Sequence, residues 1–192
     1  MLNNYNLIDD YKIRLFDRRR SLDDSVALAG INLLRAKFPQ VGGLHTVLLI
    51  YRPDHRVRSD PPAAEIFHCK PNNHYVGAVL ITSDMVLYVD SLHPGSKPNA
   101  GVLAQIEASF NLKNKYFIRS AMCQQQGESD CLAFVLANLD AILAGADITK
   151  VNFSKKYLRA YVVRSLINKT LSFPHSRCKS RGKGTVYVMR AK

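Results

Sequence analysis

Residues 131–147, CLAFVLANLDAILAGAD, carry apolar side chains nearly all round a helical wheel, and Gly145 stops the run. A helix without a polar face needs neighbours on every side, so it is predicted to lie at the centre of the fold. The segment before it, QQQGESD (124–130), is polar and ends in an acid. Asp130 suits the N-cap position, which sets Cys131 in the first turn. There the unpaired N–H groups and the positive end of the helix dipole favour an anion. The thiolate is the nucleophilic form of cysteine. Cys131 is therefore either ordinary core, as buried free cysteine usually is, or a nucleophile.

On the N-terminal side, a basic stretch from Lys12 to Arg20 precedes SLDDSVALAGINLLRAKFPQ (21–40). The latter reads as an amphipathic helix, with Ser21 as cap, Asp23 and Asp24 at its start and Pro39 past its end. Val26, Leu33, Leu34 and Phe38 form its apolar face. VGGLHTVLLIYRP (41–53) is a Gly-Gly turn and a β-rich run, followed by a polar loop over 54–63 whose composition suits mobility. AEIFHCK reads as a strand, PNN as a turn, and HYVGAVLITSDMVLYVDSL (74–92) as two strands about a Ser-Asp turn. A helix over VLAQIEASFNL and a strand over YFIRSAM lead to the central helix. VNFSKKYLRAYVVRSLINKT (151–170) gives a second amphipathic helix, with Tyr157, Tyr161, Val162, Leu166 and Ile167 on its apolar side, and TVYVM a late edge strand. Helix, strands, helix, strand, helix, helix is the order of an α+β protein.

The composition sets limits on function. At 192 residues and 47% hydrophobic, the chain suits one domain, placed over 1–175, with a basic tail over 176–192. Cys69, Cys123, Cys131 and Cys178 stand far apart and read as reduced thiols rather than a disulfide framework. Only His68 and Cys69 have metal-ligand spacing, so neither a metal nor another cofactor is expected. The polar start is unlike a signal peptide, and no apolar run approaches the ~20 residues of a membrane span. A soluble protein of the nucleus or cytoplasm is expected. The net charge is +12, and residues 151–192 hold 11 Lys and Arg without one acid. Such an end either meets a polyanion, nucleic acid included, or serves solubility.

A thiol nucleophile needs a base. His74 stands at a strand end, and Asp90 ends the next strand, which raises His74 above His45, His55, His68, His93 and His175. A carboxylate there would hold the imidazole through Nδ1–H. Register decides whether the two meet. A plain two-residue turn at Ser83 and Asp84 pairs Thr82 with Met85 and sets Asp90 opposite Gly77, on the face away from His74. An odd loop or a bulge sets Asp90 opposite Val76, on the face of His74 and ~7–8 Å away along the diagonal. An oxyanion hole would use the Cys131 N–H and an amide from Gln124, Gln125 or Gln126.

His-aromatic, then VDSL, then Gln-x5-Cys resembles the ubiquitin-like-protein-specific cysteine proteases of the SUMO-protease type. That family carries His-Trp, Asp-Ser and Gln-x4-Asp-Cys-Gly in this order. RRRSLDDSVALAGINLLRAKFPQVGGL resembles the first helix of its mobile-element and viral members, EIFHCKPNNHYVGAVL their histidine strand and YLRAYVVRSLINKTLSFP their closing helix. The likeness covers roughly residues 18–175 and extends to adenovirus-type proteases, which act bound to DNA. It implies a papain-like α+β fold, with the cysteine on a central buried helix and the histidine and aspartate on a mixed sheet. It implies Cys131 as nucleophile, His74 as base, Asp90 as orienting acid and Gln125, six residues before the cysteine, as oxyanion donor. Tyr75 takes the place of the family tryptophan that lines the substrate channel, and Leu132 that of the glycine after the cysteine. The expected activity is cleavage of a ubiquitin-like modifier or a viral or mobile-element protein through a thioester, virion-associated if viral. A thiol acyltransferase is a lesser expectation. The other class is a decayed protease that binds a ubiquitin-like protein or nucleic acid.

Overall fold

The computed structural model describes residues 21–45, 57–69, 73–126 and 129–191. The basic stretch from Lys12 to Arg20, the β-rich run over 46–53, the first part of the loop after it and most of the PNN turn lie outside these residues.

Helix α1 spans Asp24–Lys37. Its cap is Asp23, whose carboxylate accepts from Ser25 N and Val26 N, so Ser21 does not hold the expected role. The acid at N-cap satisfies two of the four orphan donors of the first turn. Strands β1 (Gly42–Gly43), β2 (Ala63–Cys69), β3 (His74–Thr82), β4 (Met85–Val89), β5 (Lys115–Ser120) and β8 (Thr185–Arg190) form one mixed sheet, ordered β1-β2-β3-β4-β5-β8. β6 (Val151–Phe153) and β7 (His175–Arg177) form a separate antiparallel pair. Helix α2 (Ala100–Ser109) covers one face of the sheet, packing with β2, β4 and β5 through Val102, Ile106, Phe110 and Tyr116.

Helix α3, Cys131–Leu143, runs across the other face and is buried continuously from Cys131 to Ala141. α1 and α4 (Leu158–Asn168) complete that layer. Burying each of Leu132, Phe134, Val135, Leu136 and Leu139 stabilises the fold by about 1.5–3 kcal/mol, which explains why this run carries no polar face. α1 approaches it closely at Gly30, where a Cβ would stand 2.5 Å from a Leu136 methyl. The apolar side of α4 differs from the expected one. Leu158, Val162 and Val163 are buried, whereas Tyr157 and Ile167 are exposed at 49% and 57%. VNF, expected inside this helix, is instead β6.

At the far edge, β8 joins β5 because Gly184, at φ 76°, lets the chain pass against the Ser120 carbonyl; a Cβ there would fall 2.0 Å from that oxygen. No helix among the described residues is long and apolar enough to cross a membrane. No cluster of three or more ligating side chains suited to a metal occurs among them.

Candidate active site

The β3–β4 hairpin brings His74 and Asp90 together by a bulge. Thr82 pairs with Met85 across the two-residue turn, yet the next rung joins Leu80 to Val86, leaving Ile81 as an extra residue. The ladder then runs to Gly77 opposite Val89. One step further sets Asp90 against Val76, on the face of His74. The required irregularity is present, and His74 Nε2 lies 2.8 Å from Asp90 Oδ1. The expected contact through Nδ1 is thus corrected to Nε2. The ring enters the strand from its first residue and reaches the carboxylate with its far nitrogen, which leaves Nδ1 for another partner.

Asp90 is held from several sides. Its Oδ1 also accepts from Leu92 N (2.9 Å) and His93 N (3.0 Å), and Tyr88 Oη donates to Oδ2 at 3.3 Å. Burial works against the carboxylate, but the His74 hydrogen bond and charge and these backbone donors outweigh it and lower its pKa. His74 is 4% exposed. Burial alone would lower its pKa; hydrogen bonds to Asp90 and Cys131, with their charges, overcome this and raise it to about 9. Cys131 therefore lies near enough to influence the ring, although 57 residues separate the two along the chain.

Cys131 opens α3 and is 2% exposed. Asp130 occupies the cap position, but its side chain makes no capping hydrogen bond. Its Oδ1 instead accepts from Arg159 Nε at 2.5 Å, while Arg159 Nη2 donates to Ser129 O at 2.7 Å. A buried guanidinium on α4 thus pins the turn that delivers the cysteine. The expectation of an Asp130 side-chain cap is corrected accordingly.

The three glutamines have separate fates. Gln124 bonds both ends of its amide to the Phe153 backbone, accepting from N at 2.6 Å and donating to O at 3.1 Å, like a rung of a ladder. Gln125 is exposed. Gln126 is buried, its backbone N–H bonded to Ser91 O, next to Asp90, at 2.8 Å. Neither atom of its amide has a hydrogen-bond partner among the described residues. Tyr75, on the α3 side of the sheet, is buried with its hydroxyl donating to Asp24 of α1; burial and that hydrogen bond raise its pKa. Leu132 is wholly buried in the core formed by α1, α3 and α4.

Sequence reasoning missed Arg159 and Tyr88, and it held Gln126 only as one of three candidate amides. Tyr88 had a signal, standing two residues before Asp90 and so on its face of β4. Gln126 and Arg159 depend on contacts across 35 and 29 residues that no local pattern records.

A buried imidazole with one nitrogen on a carboxylate and a thiol nearby can take the thiol proton and hold it as a cation. No family model matches the sequence, and no curated protein is similar to it in sequence. Solved structures do match it in three dimensions. The SUMO protease Ulp1 with its catalytic cysteine oxidised to a sulfonic acid aligns at a TM-score of 0.60 and 18% identity, over 83% of each chain. The C-terminal Ulp1 protease domain, in complex with Smt3, the yeast ortholog of SUMO, aligns at 0.59 and 18%, over 82% of this chain and 81% of that one. The Ulp1-like SUMO protease catalytic domain of Chaetomium thermophilum aligns at 0.52 and 17%, over 79% of this chain and 74% of that one. The chain therefore has the α+β fold of cysteine proteases, in the form taken by Ulp1.

Proposed function

We propose that this protein is a cysteine peptidase, and that it hydrolyses the bond after the C-terminal tail of a ubiquitin-like modifier or a comparable site in a viral or mobile-element protein. The observation that carries this reading is the His74 imidazole, bonded to Asp90 at 2.8 Å and raised in pKa by both Asp90 and Cys131. In the proposed reaction the Cys131 sulfur attacks the carbonyl carbon and the Cys131 N–H binds the oxyanion. The imidazolium gives its proton to the departing amine, leaving a thioester. Neutral His74 then takes a proton from water, which attacks the thioester and releases the acid and the thiol.

For the second oxyanion donor we favour Gln126 over Gln125, the residue implied by family spacing. A buried amide without a partner carries a desolvation cost of about 1–3 kcal/mol that a transient anion would offset. Leu132 buries its side chain in the core, which supports an unobstructed thiol. The near-complete burial of Cys131 and Tyr75 suits a thin extended substrate such as a glycine-rich tail.

The test is a ubiquitin-like protein carrying a C-terminal electrophile, incubated with the parent and with Cys131→Ala. A covalent adduct on the parent alone supports the peptidase. Binding without an adduct in either would replace it with a binding module.

A further inference from the structure

The outer half of the sheet presents an open face that the peptidase reading does not use. Arg119 pairs with Val186, Phe117 with Val188 and Lys115 with Arg190, so these six side chains share one face of β5 and β8. The opposite face of β8 is packed: Met189 rests on the α2-side core, and Tyr187 Oη donates to Gly95 O. On the open face Val186 and Val188 are 46% and 60% exposed. β8 ends the sheet, and no described strand pairs with its far side.

The charged side chains of the two strands on this face, Lys115, Arg119 and Arg190, are all cationic. Lys115 and Arg190 stand directly opposite each other, an arrangement that is destabilising without a counter-charge. Neither forms an ion pair with a described residue. At the other end, about 13 Å along β5, Arg119 and Lys183 border a cavity of about 430 Å³ that also carries the Thr149 and Ser180 hydroxyls and the Lys150–Asp147 ion pair, closed at 3.1 Å. Two cationic ends thus flank an aliphatic centre along an unpaired strand edge.

We propose that this face docks an acidic, extended polypeptide segment, which adds to β8 as a further strand. Main-chain groups of the open edge would pair with the segment, and side chains on the shared face would set its pattern. That pattern is an acid opposite Arg190, aliphatics opposite Val188 and Val186, and a second acid toward Lys183 and Arg119. Charge argues against a second copy pairing through the same edge, since residues 151–192 of that copy would bring 11 more cations and no acid to it. Chemistry argues against nucleic acid: of the six side chains Phe117 alone is aromatic and it is half-buried, so no run of rings is offered for base stacking, and an open edge calls for amide partners.

The probe is the fluorescent peptide Glu-Thr-Val-Thr-Val-Thr-Glu, with a twin N-methylated at its threonines, titrated by anisotropy into the full chain. Saturable binding that weakens with salt is expected, with the twin at least about tenfold weaker. Lys115→Glu with Arg190→Glu should lose a similar factor and gain affinity for the peptide with Lys in place of Glu. Equal binding by the twin, or indifference to the charge reversal, overturns the proposal. So does tighter binding of oligothymidylate that displaces the peptide. A concentration-dependent dimer in sedimentation that excludes the peptide overturns it in favour of self-pairing. Because Cys131→Ala leaves this surface intact, peptide binding by that variant separates this result from any failure of the peptidase reading.

Discussion

Replacing Asp90 with Asn leaves the shape of the site and removes one charge. Burial opposes ionisation of His74, while hydrogen bonds and charges of Asp90 and Cys131 raise its pKa from 6.5 to about 9. At pH 7.5 a group titrating at about 9 is about 97% protonated, and one at about 6.5 is about 9% protonated. Without the carboxylate Asp90's part of that rise is lost while Cys131's remains, so the imidazolium population falls, by about tenfold if the ring returns to its ordinary 6.5. An asparagine amide can also hold the ring in the wrong tautomer, a fault that costs about 10⁴ in a serine-protease triad. Alkylation of Cys131 by iodoacetamide measures the effect without knowledge of the substrate. The adduct is assigned to Cys131 by peptide mapping, since Cys69 and Cys123 are buried as Cys131 is and Cys178 is half-buried. The parent should react several-fold, up to about tenfold, faster than Asp90→Asn at pH 7.5, with the ratio closing above about pH 9 as His74 loses its proton. A ratio within about twofold of unity at pH 7.5 would refute the idea that Asp90 charges the imidazole.

Hydrolysis of a ubiquitin-like tail amide should fall about 10²–10³ in kcat for Gln126→Ala, while Gln125→Ala stays near the parent. The His74–Asp90 pair should also shape stability against pH. On the imidazole side its contribution is complete below about 6.5 and lost as pH rises through about 9; on the carboxylate side it is lost on acidification. Denaturant melts of the parent and Asp90→Asn should therefore differ most between about pH 5 and 6.5 and least above about pH 10. Gly30→Ala should cost about 1–3 kcal/mol, because the new methyl meets Leu136 inside a filled core. A double-mutant cycle with Leu136→Ala should show strong coupling between the two positions, and additive losses would contradict the close helix crossing. Arg159→Met should cost about 3 kcal/mol in the same melts by stranding Asp130.

The central helix was legible because solvent never touches it, and a run with no polar face has one place to go. The two strands of the His–Asp hairpin were legible by alternation, and register arithmetic stated what a triad would require of their turn. It did not say that Ile81 would supply it. A bulge takes one residue out of the ladder, and an aliphatic side chain facing solvent at 48% exposure looks in sequence like any other strand position. The same limit explains α4. Apolar counting placed Tyr157 and Ile167 inward, but the guanidinium of Arg159 is drawn under the surface by Asp130 and Ser129, and the helix is turned to suit it. Periodicity reads hydrophobic burial and is blind to a polar group whose partner lies 29 residues away. The glutamines show this at the finest scale. Three identical neighbours differ only in what the fold brings to them: a strand backbone for Gln124, solvent for Gln125, and for Gln126 a buried place with nothing to bond. Family spacing selects the middle one by counting. Desolvation selects the last, because an amide hidden from water with both ends idle is stabilised only when something polar arrives.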